Sequence, residues 1–381
     1  MSSRTLSTRL MRRLAPASAL RPSCTARTVN IPLQQRRHSS YNHLYEELPQ
    51  RRIPLIYDDL APLNAHRLNV SLRSFLPAGW VDESKALPEK SPEKDLPPAY
   101  HLVYFNPTIP SEELLPDGTD PLQSPGPPFV RRMWAGGYLR FNLNPGVNGL
   151  KLDGKRYVCM EGIRNVQIKG KEGDEKVFVG IERRMAPVNQ SDNEDSIREK
   201  LWREEEDFGE AVLIERRNIV FMRERTPEQL KAAAAASRAS EKMLKPQHPP
   251  DFTHALNPSP SLLFRYSALT FNAHSIHLDP HYCRTVEGHR NLLVHGPLSF
   301  TLLTTMLQQH LRTLQTQNRE DGANGLRIHS IDYRNLAPLY AEEPLKLCGR
   351  KMEPGKYEIW AETPEGGIAV RGIAKTDVPA T

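Results

Sequence analysis

One long amphipathic helix followed by a train of short strands restricts this chain more than any other feature. From Leu298 to about Gln315, Leu303, Leu307, Leu311 and Leu314 recur at helical spacing and define one apolar stripe that needs cover. Four strand-like runs follow: Leu326 to Leu336, Leu345 to Lys351, Lys356 to Thr363 and Gly367 to Lys375. One helix laid against a curled antiparallel sheet is the packing that buries both, so the expected class is α+β.

The first half carries a second set of strands. A helix is expected around Leu60 to Leu76, and His101 to Phe105 is a short apolar run that reads as a strand. After the Pro-rich stretch 82–128, Tyr138, Arg140 and Asn142 alternate with Leu139, Phe141 and Leu143, the period of a half-buried strand. Further strands are expected at Tyr157 to Lys169, Lys176 to Arg184 and Ala211 to Arg223, joined by turns into an antiparallel sheet. Thr226-Pro227-Glu228-Gln229 starts an alanine-rich helix that runs to Pro246, and a polar, Pro-rich segment completes a linker to Ser261. The expected organisation is therefore a leader (1–40), a first sheet-bearing domain (41–225), a linker (226–261) and a second domain (262–378).

The net charge of +6 is unevenly placed. Residues 1–40 hold eight arginines and no Asp or Glu, which leaves the rest of the chain at −2, so the basic pI gives no support to nucleic-acid binding. An acid-free leader rich in Arg and Ser has the composition of a mitochondrial presequence; a disordered basic tail is the plainer reading. QQRRHSSY marks a processing region near residues 37–41. The four cysteines show no paired spacing, in keeping with a reducing compartment, and no segment has the ~20 apolar residues of a membrane span.

The chemistry is concentrated just before the long helix. The run Leu262 to Thr270 reads as a strand arriving at a polar turn that carries Asn272, His274, His277 and Asp279. Asp279 and Pro280 then open a small helix as N-cap and first residue. Leu292-Leu293-Val294 leads into His295-Gly296-Pro297 and the long helix. A side-chain base thus faces a helix N-terminus able to hold negative charge. His274, His277, Asp279 and His281 could in principle ligate a metal, but without a second spaced cluster no metal is expected. A structural histidine is the plainer reading for His295.

TFNAHSIHLDPHY followed by LLVHGPL resembles the MaoC-like hydratase/dehydratase family of hot-dog folds. YRNLAPLYAEEPL resembles the strand and Pro turn after that family's central helix, and PFVRRMWAGGYLRF with ERRNIVFM resembles the degenerate N-terminal hot dog of its two-domain members. Within the family the likeness is to hydroxyacyl-thioester dehydratases type 2 of fungal mitochondria, with mesaconyl-CoA hydratases as relatives. The resemblance implies a double hot-dog, two antiparallel sheets each wrapping a central helix. It puts His277 on the family's histidine, Asn272 where the family has an aspartate, His274 on its asparagine, Ser275 on its proline and Gly296 on its helix-start glycine.

The implied activity is removal of water from acyl-carrier-protein-bound (3R)-3-hydroxyacyl thioesters, giving trans-2-enoyl thioesters, in fatty-acid synthesis in the mitochondrial matrix. Alternatives are a CoA-ester hydratase of the mesaconyl type and a hot-dog protein that binds acyl thioesters without turnover. The expected partners are acyl carrier protein or CoA thioesters, with a homodimer allowed. No cofactor is implied beyond the phosphopantetheine that carries the substrate. His277 can move a proton at neutral pH, and the Gly296 amide can stabilise an enolate-like oxygen. An amide cannot donate and recover a proton as a carboxyl does, so Asn272 is assigned to positioning the oxygen, with His274 as helper. Tyr266 and Arg334 are the candidates for holding substrate, with strand packing and a solvated surface position as their plainer readings. Arg131, Arg132 and Arg334 could face a phosphopantetheine phosphate or an acidic carrier protein, with solvated surface arginines as the plainer reading.

Overall fold

The computed structural model describes residues 40–378, apart from 190, 238–242 and 318–325. The leader and its processing region therefore lie outside the described residues, save Ser40 and Tyr41. Ser40 onward forms one compact unit.

Ten strands are found among the described residues: β1 (Ile56–Asp59), β2 (Arg131–Phe141), β3 (Arg156–Lys169), β4 (Lys176–Pro187), β5 (Leu213–Met222), β6 (Phe252–Leu256), β7 (Ile328–Asn335), β8 (Leu345–Glu353), β9 (Lys356–Glu362) and β10 (Ile368–Thr376). The α-helices are α1 (Leu44–Glu47), α2 (Pro62–Leu72), α3 (Glu194–Leu201), α4 (Pro227–Ala236), α5 (Pro260–Leu269), α6 (Pro280–Tyr282) and α7 (Gly296–Gln317). The strands form one sheet in the order β1-β3-β4-β5-β2-β7-β10-β9-β8-β6, every pair antiparallel. The molecule is an α+β double hot-dog whose two halves join edge to edge in this one sheet, where β2 pairs with β7.

That seam explains the Ala-Gly-Gly in β2. Gly136 has φ +135°, and a Cβ there would collide with the Tyr333 carbonyl, while one on Gly137 would collide with Arg216. A side chain at Gly136 would push apart the strands that join the halves, and one at Gly137 would push β2 from β5 within the first half.

α7 packs against β8 and β9. Leu298, Leu302, Leu303, Met306, Leu307 and Leu311 are buried, each contributing roughly 1.5–3 kcal/mol. Three threonines also lie on the buried face, and each satisfies its hydroxyl within the helix. Thr301 donates to Pro297, Thr304 to Phe300 and Thr305 to Thr301, at 2.8–2.9 Å. α2 joins the same core through Ala65, Leu68 and Leu72, together with Leu139, Tyr157 and Met185 of the first half.

Two expected strands are helical instead. Leu262–Thr270 belongs to α5, whose Ser259 side chain accepts from the Leu262 amide and whose Pro260 takes the first turn. Its buried residues, Leu262, Leu263, Tyr266 and Ser267, recur at helical spacing. The His101–Phe105 run holds a 3-10 turn over Tyr100–Val103, with Ala99 and Phe105 at positive φ. β1, α3 and β6 were not expected, and β6 lies inside the segment read as a linker.

Candidate active site

A cavity of about 530 Å³ lies between the halves. Its lining includes Arg132 and Trp134 from β2, Arg217 from β5, the Asn272–His277 turn and the 293–297 segment that opens α7. Its mouth carries exposed apolar side chains, among them Phe264, Phe271 and Leu336.

His277 is buried at the end of a 3-10 turn, Ser275–His277. Its Nδ1 lies 2.8 Å from the Leu293 carbonyl oxygen. A carbonyl only accepts, so Nδ1 carries the proton and Nε2 keeps its lone pair. Burial pulls the imidazole down to about 4, partly offset by the Leu293 bond, and so keeps it neutral near pH 7. Its ring stacks on His295, centroids 3.6 Å apart. The Nε2 of His295 is 2.8 Å from the Ser267 hydroxyl, and its backbone carbonyl accepts from the Ser299 amide in the first turn of α7. Burial also depresses His295. His295 thus walls in His277 and anchors the start of the helix.

Asn272 accepts the backbone N–H of His274 at 3.1 Å through its side-chain carbonyl, which leaves its NH₂ as the polar group for the cavity. His274 is buried and lies 5.6 Å from His277, ring to ring and edge-on. Burial, with His277 and Arg132 nearby, drives it well below the usual imidazole value.

Gly296 begins α7, where backbone N–H groups lack intrahelical partners. A Cβ there would sit 2.7 Å from Nδ2 of Asn335, which donates to the Trp134 carbonyl at 2.7 Å. A side chain at this position would displace the Asn335 amide from the Trp134 carbonyl.

Tyr266, on α5, lines the cavity with its ring 5.1 Å from that of His295. Arg334 does not line it. Strand alternation in β7 buries Tyr333 and leaves Arg334 exposed, outside the cavity lining and on the surface. Arg131 is likewise committed elsewhere, paired with Glu287 at 2.5 Å. Asp279 caps α6, accepting from His281 and Tyr282, and among the described residues no group of three or more His, Cys, Asp or Glu could hold a metal ion.

Sequence reasoning missed three things here. Asn335 and Trp134 cover Gly296 from distant strands. Arg217, with Asp120 and Glu161, adds charged groups to the cavity lining beside Arg132. Asp117, in the loop after a 3-10 turn at Ser111–Glu113, touches His274. The Pro-Asp-Gly wording at 116–118 is a turn signal, but it does not say which element the turn meets.

A double hot-dog with a buried imidazole and a helix start lining one cavity is the arrangement of the MaoC-like class. Residues 99–341 match the model of the family described as hydroxyacyl-thioester dehydratase type 2, and the chain belongs to that family. It is a lyase. Mesaconyl-C(4)-CoA hydratase of Chloroflexus aurantiacus is 30% identical over 74% of this chain and 85% of its own length. The mitochondrial hydroxyacyl-thioester dehydratase type 2 of Schizosaccharomyces pombe is 27% identical over 73% of this chain and 89% of its own. A MaoC-like dehydratase from Phytophthora capsici shares the fold, with TM-score 0.54, 15% identity and coverage of 87% and 98% of the two chains. Among the described residues, no helix is long and apolar enough to cross a membrane.

Proposed function

We propose that this protein interconverts (3R)-3-hydroxyacyl and trans-2-enoyl thioesters, acting in mitochondria on substrates carried by acyl carrier protein. The observation that carries this reading is the fixed tautomer of His277. Its Nδ1 proton is held by Leu293, and its Nε2 is left as a base in a cavity that also holds the N-terminus of α7. In dehydration Nε2 takes the α-proton while the Gly296 amide donates to the thioester oxygen, where charge builds. The Asn272 NH₂ positions the departing hydroxyl. Tyr266 and the apolar lining hold the acyl chain between the halves. The basic leader and the S. pombe relative's stated location support a mitochondrial setting.

A second reading, a CoA-ester hydratase for acids of the mesaconyl kind, is favoured by one observation. Arg132 and Arg217 line the cavity as cations, each already facing a protein carboxylate, Asp120 and Glu215, with which a substrate carboxylate would have to share it. Crotonyl and mesaconyl groups, each offered on CoA and on acyl carrier protein, separate the two when hydration is followed by absorbance. The first reading expects crotonyl-carrier to be the better substrate, and a preference for mesaconyl-CoA would replace it with the second. The leader is tested by a protein starting at Tyr41, which should stay folded and active but no longer reach mitochondria.

A further inference from the structure

The family's aspartate is an asparagine here, yet a carboxylate reaches the same turn from the other half of the molecule. His274 Nε2 lies 3.5 Å from Oδ2 of Asp117, and both side chains are more than nine-tenths buried. Asp117 Oδ1 is already used, accepting from the Thr119 amide and hydroxyl at 3.0 and 2.5 Å. Oδ2 is buried and has no hydrogen-bond partner among the described residues, a costly state for a carboxylate unless a cation faces it.

The approach is built into the backbone. Ser275 donates its amide to the Asp117 carbonyl at 2.8 Å. Gly118 has φ +81°, and a Cβ there would collide with the Ala273 carbonyl. Only glycine lets this loop lie so close to the His-bearing turn.

We propose that Asp117 is the carboxylate partner of His274, a positioning residue that orients this imidazole through Nε2 and supports its cationic form as the acid of the reaction. The proposal rests on the dehydratase reading above. The elimination then balances with two imidazoles. Nε2 of His277 takes the α-proton, the C3–O bond breaks, and the oxygen leaves as water with a proton from His274. Exchange with solvent returns each ring to its starting state, and hydration runs the same steps backwards. An acid imidazole must be charged, and burial opposes that charge. The other titratable or charged groups near His274 are His277 on its own turn, Arg132 of β2 and His295 before α7, none of them an anion. Asp117 is the anion in contact.

The test uses the full chain with Asp117→Asn, Asp117→Glu and, as a control for the turn alone, Thr119→Val. Asp117→Asn should lower kcat ~10–100-fold with KM little changed, within the reach of acid–base effects. The His274 resonance should titrate about one unit lower, as expected on losing a nearby opposite charge. Asp117→Glu should restore part of both, and Thr119→Val should lower the melting temperature without moving the titration. An unchanged His274 titration in Asp117→Asn would overturn the proposal, whether or not kcat fell. A wild type inactive on every thioester would instead sink the dehydratase reading, with the titration still reporting on the pair.

Discussion

The imidazole of His277 lies flat against that of His295, centroids 3.6 Å apart and planes 21° from parallel, and both rings are buried. Two such rings are tolerated in contact only while neither is charged. Burial depresses His277 to about 4 and holds its stacking partner His295 well below the ordinary imidazole value. The unfolded chain takes these protons near pH 6.5, and the folded chain does not until far lower. Between those limits the unfolded state binds more protons, so stability is intact above about pH 6.5 and falls as pH drops toward 4. His277 alone accounts for about 3 kcal/mol of that loss. Denaturant melts at pH 7.5 and 4.5 should show the drop, and His295→Phe should lessen it. Equal stability at the two pH values would contradict the buried neutral cluster.

Asn272 marks where this chain departs from the family's motif. Its side-chain carbonyl fixes the His274 amide, and a carboxylate can make the same bond. Asn272→Asp should therefore fold normally and keep or raise turnover in hydration assays. Asn272→Ala should lose turnover through misplacement of the substrate oxygen. Inactivation by aspartate would show that the site, with Asp117 beside His274, has no room for a second negative charge.

The first half of the molecule buries a charged network inside its sheet. Arg183 sits between Glu161 and Glu215 at 3.0 and 2.9 Å, and His101 lies 3.4 Å from Glu215. Burial would raise the Glu215 carboxyl, but Arg217, His101 and Arg183 together hold it well below its usual range. Glu215→Ala should destabilise the protein by about 3 kcal/mol, because it strips Arg217 of its carboxylate and leaves buried Arg183 with Glu161 alone. Chemical denaturation measures this, and a loss under about 1 kcal/mol would mean that water reaches the network.

Legibility followed local pattern. β7 to β10 and α7 announce themselves in the sequence as apolar runs bounded by turn residues, and Thr226 and Asp279 cap their helices as their neighbours suggest. α5 was misread because Leu262-Leu263-Phe264 is a short apolar run, which suits a strand or a helix equally; the cap at Ser259 and Pro260 was the deciding signal. β1 and β6 are edge strands of four and five residues, too short for a pattern. The motif turn was legible to the residue. Asp117 and Asn335 were not, because they reach the site through tertiary pairing: one by a loop crossing between the halves, the other by a strand neighbour.

The claim that His277 moves the proton has one direct test. His277→Ala should leave the fold and thioester affinity nearly unchanged, since Gly296 and the apolar lining remain. Single-turnover hydration of crotonyl thioester by that protein should fall ~10²–10⁴-fold, the range for loss of a general acid–base. Hydration by His277→Ala at the wild-type rate would contradict the account, because the proton would then pass through another group.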